Sequence, residues 1–489
     1  MEHKEQPKEK PSSRNWIIRF YGLLIVLLFI SVRPYAGGWN DGSRLASVEA
    51  IVDHHTLRID NSIFVKIPDS LKIPEKLPYP IEDYMILKSG TLDKLKIGDH
   101  YYTDKPIVIS LMMAIPYKIW RVCGGPAFSE NPRYACWFLT LIIMGSSLIY
   151  LTHSLLAIAK KYRFAEDQQL ILVSVVILST VVITYTQHLN NHLLLLAVFA
   201  GMINQLMELK SVAPTSRQHK LRLIWLGALA SIAYNLDLGL AAPLISLLGM
   251  ITWYTHRRIL DCFWMLVGIS PGLAAYLLTN LILGGGLKPL NSVPEYLSWP
   301  GSPFSTSNMT GLFQHHFGWF CLYSLELLFG KNGFVGHNLM LMFSIAILFT
   351  IPWSKYRPSA ITLFALAWSI SGWLMYGALS NNGGGGCCGV RWFLPFLVTG
   401  FLINLEWLKN HPQDRRYLLI LAFWGGIEAI LMWNYGTWRR KMLPLFWPIQ
   451  GIAVTHWFVD YYLHNMRKKS SLSSIDPTAK QTEQTRQAA

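Results

Sequence analysis

The feature that most constrains this chain is a series of long runs with almost no charge: Trp16 to Tyr35, Phe138 to Ile158, Ile171 to Tyr185, Met340 to Trp353 and Ile361 to Leu379. Each approaches or matches the ~20 apolar residues that carry a helix across a hydrocarbon core about 30 Å thick. Backbone groups in lipid have no water to bond, so such runs must be helical. Composition agrees. Of 489 residues, 52% are hydrophobic and 15% charged, where a soluble domain carries about a quarter charged. The pattern reads as an all-α polytopic membrane protein.

The first run follows a basic segment (Lys4, Lys8, Lys10, Arg14), as a signal peptide would. It is longer than a signal core and no clean small-x-small site follows, so it is read as a retained anchor. The formal charge of +15 is spread between the apolar runs and forms no single patch, which argues against nucleic acid as a partner. The adjacent cysteines Cys387 and Cys388 lack the spacing of a metal or redox site, and the other four are scattered.

Lys and Arg mark cytoplasmic loops. Placing Lys160/Lys161/Arg163, Lys210/Arg217/Lys220/Arg222, Arg257/Arg258, Lys355/Arg357, Lys409/Arg415/Arg416 and Arg467/Lys468/Lys469 inside gives about twelve spans (about 11–13), with both termini cytoplasmic. The expected spans are 16–35, 134–158, 169–187, 190–208, 222–236, 238–254, 260–283, 334–352, 358–378, 391–408, 416–434 and 444–463. Arg439, Arg440 and Lys441 fall outside and break the rule. The transmembrane domain is then 16–464, between a cytoplasmic tail 1–15 and a polar, disordered cytoplasmic tail 465–489. Residues 36–133 form a large first outer loop. Lys105 to Val122 is left over, either as a re-entrant or interfacial helix or as a span that crosses while a neighbour does not, and segment 284–333 lies outside as a loop.

The polar residues that carry chemistry fall on this outer side. After Trp39-Asn40-Asp41-Gly42-Ser43-Arg44, the apolar residues Leu45, Val48, Ile51 and Val52 recur at helical spacing opposite Glu49 and Asp53. That describes an amphipathic helix on the membrane surface. Asp41 at or just before its start suits a helix cap as well as a catalytic carboxylate. Pro106 opens the next apolar helix, with Asp104 placed to cap it. Lys105 then stands at a helix N-terminus, where ammonium and N–H groups together attract phosphate. Its plain alternative is an interface lysine that reaches for water.

Gly383 to Gly386 can bring backbone N–H groups close around an anion or serve as a flexible connector. Arg391 at the mouth of an apolar run is costly to turn toward lipid and belongs at a cavity. His188 and His192, at i and i+4, would share a helical face, without a carboxylate to complete a zinc site. Asp237, between two apolar runs, reads as a turn residue.

Together these residues resemble the GT-C superfamily of membrane glycosyltransferases, especially relatives of protein mannosyltransferases and aminoarabinose transferases. The matching order is a first span, Asp41 followed three residues later by Arg44, then Tyr101-Tyr102 leading to Asp104-Lys105-Pro106. Late in the chain, Val390-Arg391-Trp392-Phe393-Leu394-Pro395-Phe396 looks like a glycine-flanked PRYLLPxLPF segment. The resemblance implies that Asp41 is catalytic. Lys105, Arg391 and Arg44 would bind the donor phosphate, and Tyr101, Tyr102, Asp104, His188 and His192 would approach the substrate. It also implies a polyprenyl-phosphate-linked sugar as donor, an acceptor that is lipid, glycan or protein, and a site on the periplasmic face of a bacterial inner membrane. Gly42 stands where many relatives have a second acid, Ile107 replaces a frequent proline, and His188 to His192 occupies the place of an Asp in some relatives. No metal site is assigned, and these departures leave a divalent metal and the sugar open. The rival reading is a transporter or flippase, which would need matched broken helices or an internal repeat; neither is evident in the sequence.

Overall fold

The protein is described by a computed structural model over residues 13–256, 258–305, 309–311, 315–350 and 356–438. The first helix, α1 (Ser13–Ser31), is apolar and exposed along one side. After it come α2 (Trp39–Val52), the short α3 (Tyr84–Ser89), an antiparallel hairpin β1 (Lys94–Ile97) and β2 (His100–Thr103), and α4 (Ile107–Val122). The remaining helices are α5 (Pro132–Lys161), α6 (Glu166–Leu178), α7 (Asn191–Leu209), α8 (Arg217–Leu236), α9 (Leu238–His256) and α10 (Ile259–Ile282). Then follow α11 (Pro294–Leu297), α12 (Phe317–Phe329), α13 (Met340–Thr350), α14 (Ala360–Leu379), α15 (Phe396–Asn410) and α16 (Arg415–Tyr435).

Among the described residues five stretches are long and apolar enough to cross a membrane: Pro132–Lys161, Asn191–Leu209, Ile259–Ile282, Ala360–Leu379 and Pro412–Tyr435. Shorter apolar helices run over Asn15–Ser31, Leu238–Trp253, Phe317–Phe329 and Met340–Thr350. The protein is thus a mainly helical membrane protein. Several expected spans differ. The one at 169–187 ends at Leu178, because the Thr180 hydroxyl turns back to the Val176 carbonyl and Asn338 takes the N–H of Val181 at 3.1 Å. The span at 334–352 begins only at Met340, and that at 391–408 only at Phe396, after a 3-10 turn over Arg391–Phe393. Helix α12 forms inside the segment expected to be loop. The expected span 444–463, the Arg439–Lys441 cluster and the tail 465–489 lie outside the described residues, as does most of the tail 1–15.

Helices α8 and α10 make the closest helix pair. A Cβ on Gly227 would lie 2.0 Å from the Met265 carbonyl oxygen, and one on Gly268 2.0 Å from that of Ile224. Without a hydrophobic force between helices in lipid, small residues that let backbones touch provide the packing. The first loop is more than a set of interfacial helices. Helix α2 is buried almost throughout, including Glu49, whose carboxylate accepts from Ser62 Oγ at 2.6 Å and from the Ile63 N–H. The amphipathic pattern is real, but its polar side is covered by the loop's own later residues and not by water. At its far end Tyr117 of α4 donates to Asp53 at 2.7 Å, and Arg121 pairs with Asp53. Helix α4 buries Ile109, Met113 and Tyr117 and leaves Leu111, Met112, Ile115 and Ile119 exposed. The hairpin turns at Gly98-Asp99 and packs Leu95 on Leu297 and Met309. It is the one departure among the described residues from an all-α architecture.

Candidate functional site

A cavity of about 410 Å³ opens where α2, the end of the hairpin, the start of α7, the α8–α9 junction and the 3-10 turn before α15 meet. Asn40 and Arg44 face it together because they are one helical turn apart on α2. Asp93, Asp104, Lys105, Asn191, His192, Asp237, Tyr376, Asn382, Arg391 and Trp392 complete its polar and aromatic lining. Residues more than three hundred positions apart in the chain therefore share one wall.

Arg44 is 1% exposed, and its Nε and Nη1 have no hydrogen-bond partner. Burial lowers its pKa to about 10, against the pull of Asp104. Arg391, whose Nε is likewise unpartnered, lies over the ring of Trp438 at 5.4 Å. Lys105 is differently placed. Its ammonium bonds Asp104 at 2.6 Å and Asp93 at 2.8 Å, so its charge is already shared between two carboxylates. Asp104 does not cap α4. Pro106 is the cap residue with no side-chain bond, and Asp104 is taken up by Lys105 and by the Ser43 hydroxyl at 3.2 Å.

Asp41 lies beside this wall and not on it. Gly38 precedes the helix, and the Asp41 carboxylate folds back to accept the N–H of Gly37 at 2.6 Å and of Gly38 at 2.9 Å. Burial raises its pKa to about 7, with those two N–H groups opposing. His188 comes within 3.6 Å of it and bonds the Tyr35 carbonyl, while burial lowers the imidazole to about 3 and keeps it neutral. A second cavity of about 650 Å³ is lined by Arg33, Tyr35, Gly37, Gln187, His188 and Trp438 among others. Thus Gly37 and His188, which touch Asp41, line one cavity, Asn40 and Arg44 on α2 line the other, and Asp41 itself lines neither.

The expected pairing of His188 with His192 does not form, because α7 starts only at Asn191 and His188 sits in the preceding turn. The two histidines line different cavities. Tyr101 and Tyr102 do not line either cavity described; Tyr101 instead packs against Lys94 (4.6 Å) and Trp299 (5.5 Å). The glycine run does not wrap an anion either: the N–H groups of Gly383, Gly384 and Gly385 bond Tyr323 Oη, Asn382 Oδ1 and the Asn382 carbonyl. Its curvature lets it pack against Arg391.

Asp93 and Tyr376 escaped the sequence reading, and Asp237 was read only as a turn residue. Asp93 gave no signal beyond its charge. Asp237 is the turn residue expected, accepting the Leu240 N–H, but its carboxylate also takes the Tyr376 hydroxyl at 2.8 and 2.9 Å on the cavity wall. Tyr376 in turn stacks on Trp392, with centroids 4.1 Å apart and planes 6° from parallel. Among the described residues no three His, Cys, Asp or Glu side chains converge as a metal-ligand set. The carboxylates nearest the arginines are bound to Lys105, so the residues present do not fit a divalent ion.

No protein-family model matches the chain, and no curated protein does. Solved structures do. ArnT from Cupriavidus metallidurans in the apo state aligns at a TM-score of 0.50 and 14% identity, over 84% of this chain and 63% of that one. The chain therefore spans less than two thirds of that protein's length. ArnT bound to undecaprenyl phosphate aligns at 0.49 and 13% identity, over 87% and 73% of the two chains. The oligosaccharyltransferase of Archaeoglobus fulgidus aligns at 0.46 and 11% identity, over 90% and 57%. At these identities the likeness shows the fold alone: the chain shares the fold of ArnT over most of its length.

Proposed function

We propose that the protein is a membrane glycosyltransferase that moves a sugar from a polyprenyl-phosphate donor to an acceptor at the non-cytoplasmic face. The observation that carries this reading is Arg44, a fully buried guanidinium with unpartnered N–H groups on the wall of a ligand-sized cavity, beside Arg391. A buried cation without partners is costly unless a ligand supplies the counter-charge. A planar guanidinium suits phosphate oxygens in particular. The cavity volume is in the range of small-ligand sites, about 300–1,000 Å³.

In the proposed reaction Asp41 takes the proton of an acceptor hydroxyl, and the acceptor oxygen attacks the anomeric carbon. The bond from that carbon to the phosphate oxygen breaks, leaving polyprenyl phosphate. Arg44 and Arg391 stabilise the charge that builds on the departing oxygen. Asp41 stands on the first turn of α2, in sequence between Asn40 and Arg44, which both line the cavity, and that adjacency supports its role as base. Its raised pKa lies close to neutral pH, where a general base works best. The purified protein, given a radiolabelled polyprenyl-phosphate sugar and membrane extract as acceptor source, should transfer label, and Arg44→Met should not. Equal transfer by parent and variant would remove the phosphate site from the reaction.

A further inference from the structure

The cavity has a second kind of orphan that no phosphate can satisfy. Asn191 donates its Nδ2 to the Leu236 carbonyl at 2.8 Å, which fixes its Oδ1 as the free end, and that oxygen has no partner. Asn40 Oδ1 is buried and unpartnered too. His192 is 3% exposed, and both its ring nitrogens lack partners. All three residues line the cavity and are more than nine-tenths buried. The α7 cap holds two of them in place: Asn190 Oδ1 accepts the N–H of His192 at 3.1 Å and of Leu193 at 2.9 Å. That fixes the first turn of the helix and with it the side chains at 191 and 192.

The chemistry of these free atoms is selective. An amide oxygen only accepts, and a neutral imidazole offers one acceptor and one donor. A phosphodiester brings acceptors alone, so it pairs with the arginines and leaves Asn40, Asn191 and half of His192 unsatisfied. A buried polar atom left so costs about 1–3 kcal/mol. A hydroxyl both donates and accepts, and a ring with several hydroxyls meets all of these atoms at once. The Asp237 carboxylate, on the same lining, is a further acceptor for an O–H.

Resting on the donor reading above, we infer that Asn40, Asn191 and His192 form a sugar-reading wall that binds the hydroxyls of an uncharged glycosyl group, while Arg44 and Arg391 hold its phosphate. The division places the sugar against the first turn of α7 and the phosphate against the inner face of α2. A sugar bearing a carboxylate is disfavoured there, because it would bring a further negative charge to the Asp237 carboxylate and two amide oxygens, with the single N–H of His192 as donor.

The test compares two lipids on purified protein in detergent: undecaprenyl phosphate, and the same lipid carrying a mannosyl or a glucosyl group. The parent should bind at least one glycosylated lipid tenfold or more tighter than the bare lipid. His192→Phe, which keeps the ring and removes both nitrogens, should lose that tenfold gain and hold the bare lipid within about twofold. Asn40→Ala should do the same and stands in if the first variant fails to fold, bare-lipid binding being the check on folding. The wall is overturned if neither glycosylated lipid gains over the bare one in the parent, or if both variants keep the gain or weaken both lipids equally. Failure of the parent to bind even the bare lipid sinks the donor reading and this inference with it.

Discussion

Two residues carry opposite lessons about burial. Arg44 is held inside the protein with its Nε and Nη1 unpartnered, so the unliganded protein bears a cost that a ligand relieves. Arg44→Met should therefore raise the thermal midpoint of the ligand-free protein or leave it unchanged, while weakening polyprenyl-phosphate binding by about 10–100-fold, the worth of charge-assisted hydrogen bonds. A lowered midpoint with intact binding would show that the guanidinium is structural. Asp41 is the reverse, a buried carboxylate whose oxygens both have work. Because they accept two separate N–H groups, Asn cannot replace it fully as a cap, contrary to what a lone helix-start position suggests. Asp41→Asn should cost about 1–2 kcal/mol of stability through one lost acceptor bond. Transfer should fall by roughly two to four orders of magnitude, with donor affinity retained. Turnover near the parental value in the folded variant would remove Asp41 from catalysis. With the carboxyl raised to about 7 by burial, transfer should climb with pH up to about 7 and level off above it. Stability runs the other way. The folded state holds this proton where the unfolded state has released it, so stability declines as pH rises from about 4 toward 7. A flat rate profile across that range contradicts the assignment.

Among the elements, α2 shows what could be read in advance and what could not. Its helical period, its Arg one turn from Asn40, and an acid near its start were all legible. Its burial was not, because the residues that cover Glu49 come from the loop beyond it, and periodicity reports only that a face is polar. Gly42 was noted as the place of a second acid in relatives, and the packing gives a local reason for its absence. A Cβ there would lie 2.3 Å from the Tyr79 hydroxyl, which is buried and donates to the Phe64 carbonyl. Gly42→Ala should destabilise the protein by about 1–3 kcal/mol, the usual cost of overpacking, measurable as a lowered thermal midpoint; Gly42→Ala with Tyr79→Phe should recover part of it. The hairpin escaped notice because Lys94–Thr103 is short and charged, and the packing of Tyr101 on Lys94 and Trp299 follows from a strand that the sequence did not announce. Cavity residues such as Asp93 depend on contacts far along the chain, which no local pattern encodes.

At the scale of the whole molecule, the basic clusters predict which side the first loop faces, and that orientation is open to direct test. Ser43 is unsuitable for labelling because it is buried against Thr103 and Asp104. Asp99, exposed at the tip of the hairpin, is suitable. A single cysteine at Asp99 in a protein stripped of its native cysteines should react with an impermeant maleimide in intact cells. Protection until the membrane is broken would invert the topology and move the proposed reaction to the cytoplasmic face.

The two carboxylates that grip Lys105 bear on how quickly such a catalyst empties itself. A glycosyl phosphodiester carries one negative charge, and the polyprenyl phosphate it leaves behind carries close to two at neutral pH. The three lysine-centred groups sum to one negative charge, set beside the arginines. In the proposed reaction that negative charge offsets part of the arginines' pull, which grows with the second charge of the spent carrier and would otherwise hold it the more tightly.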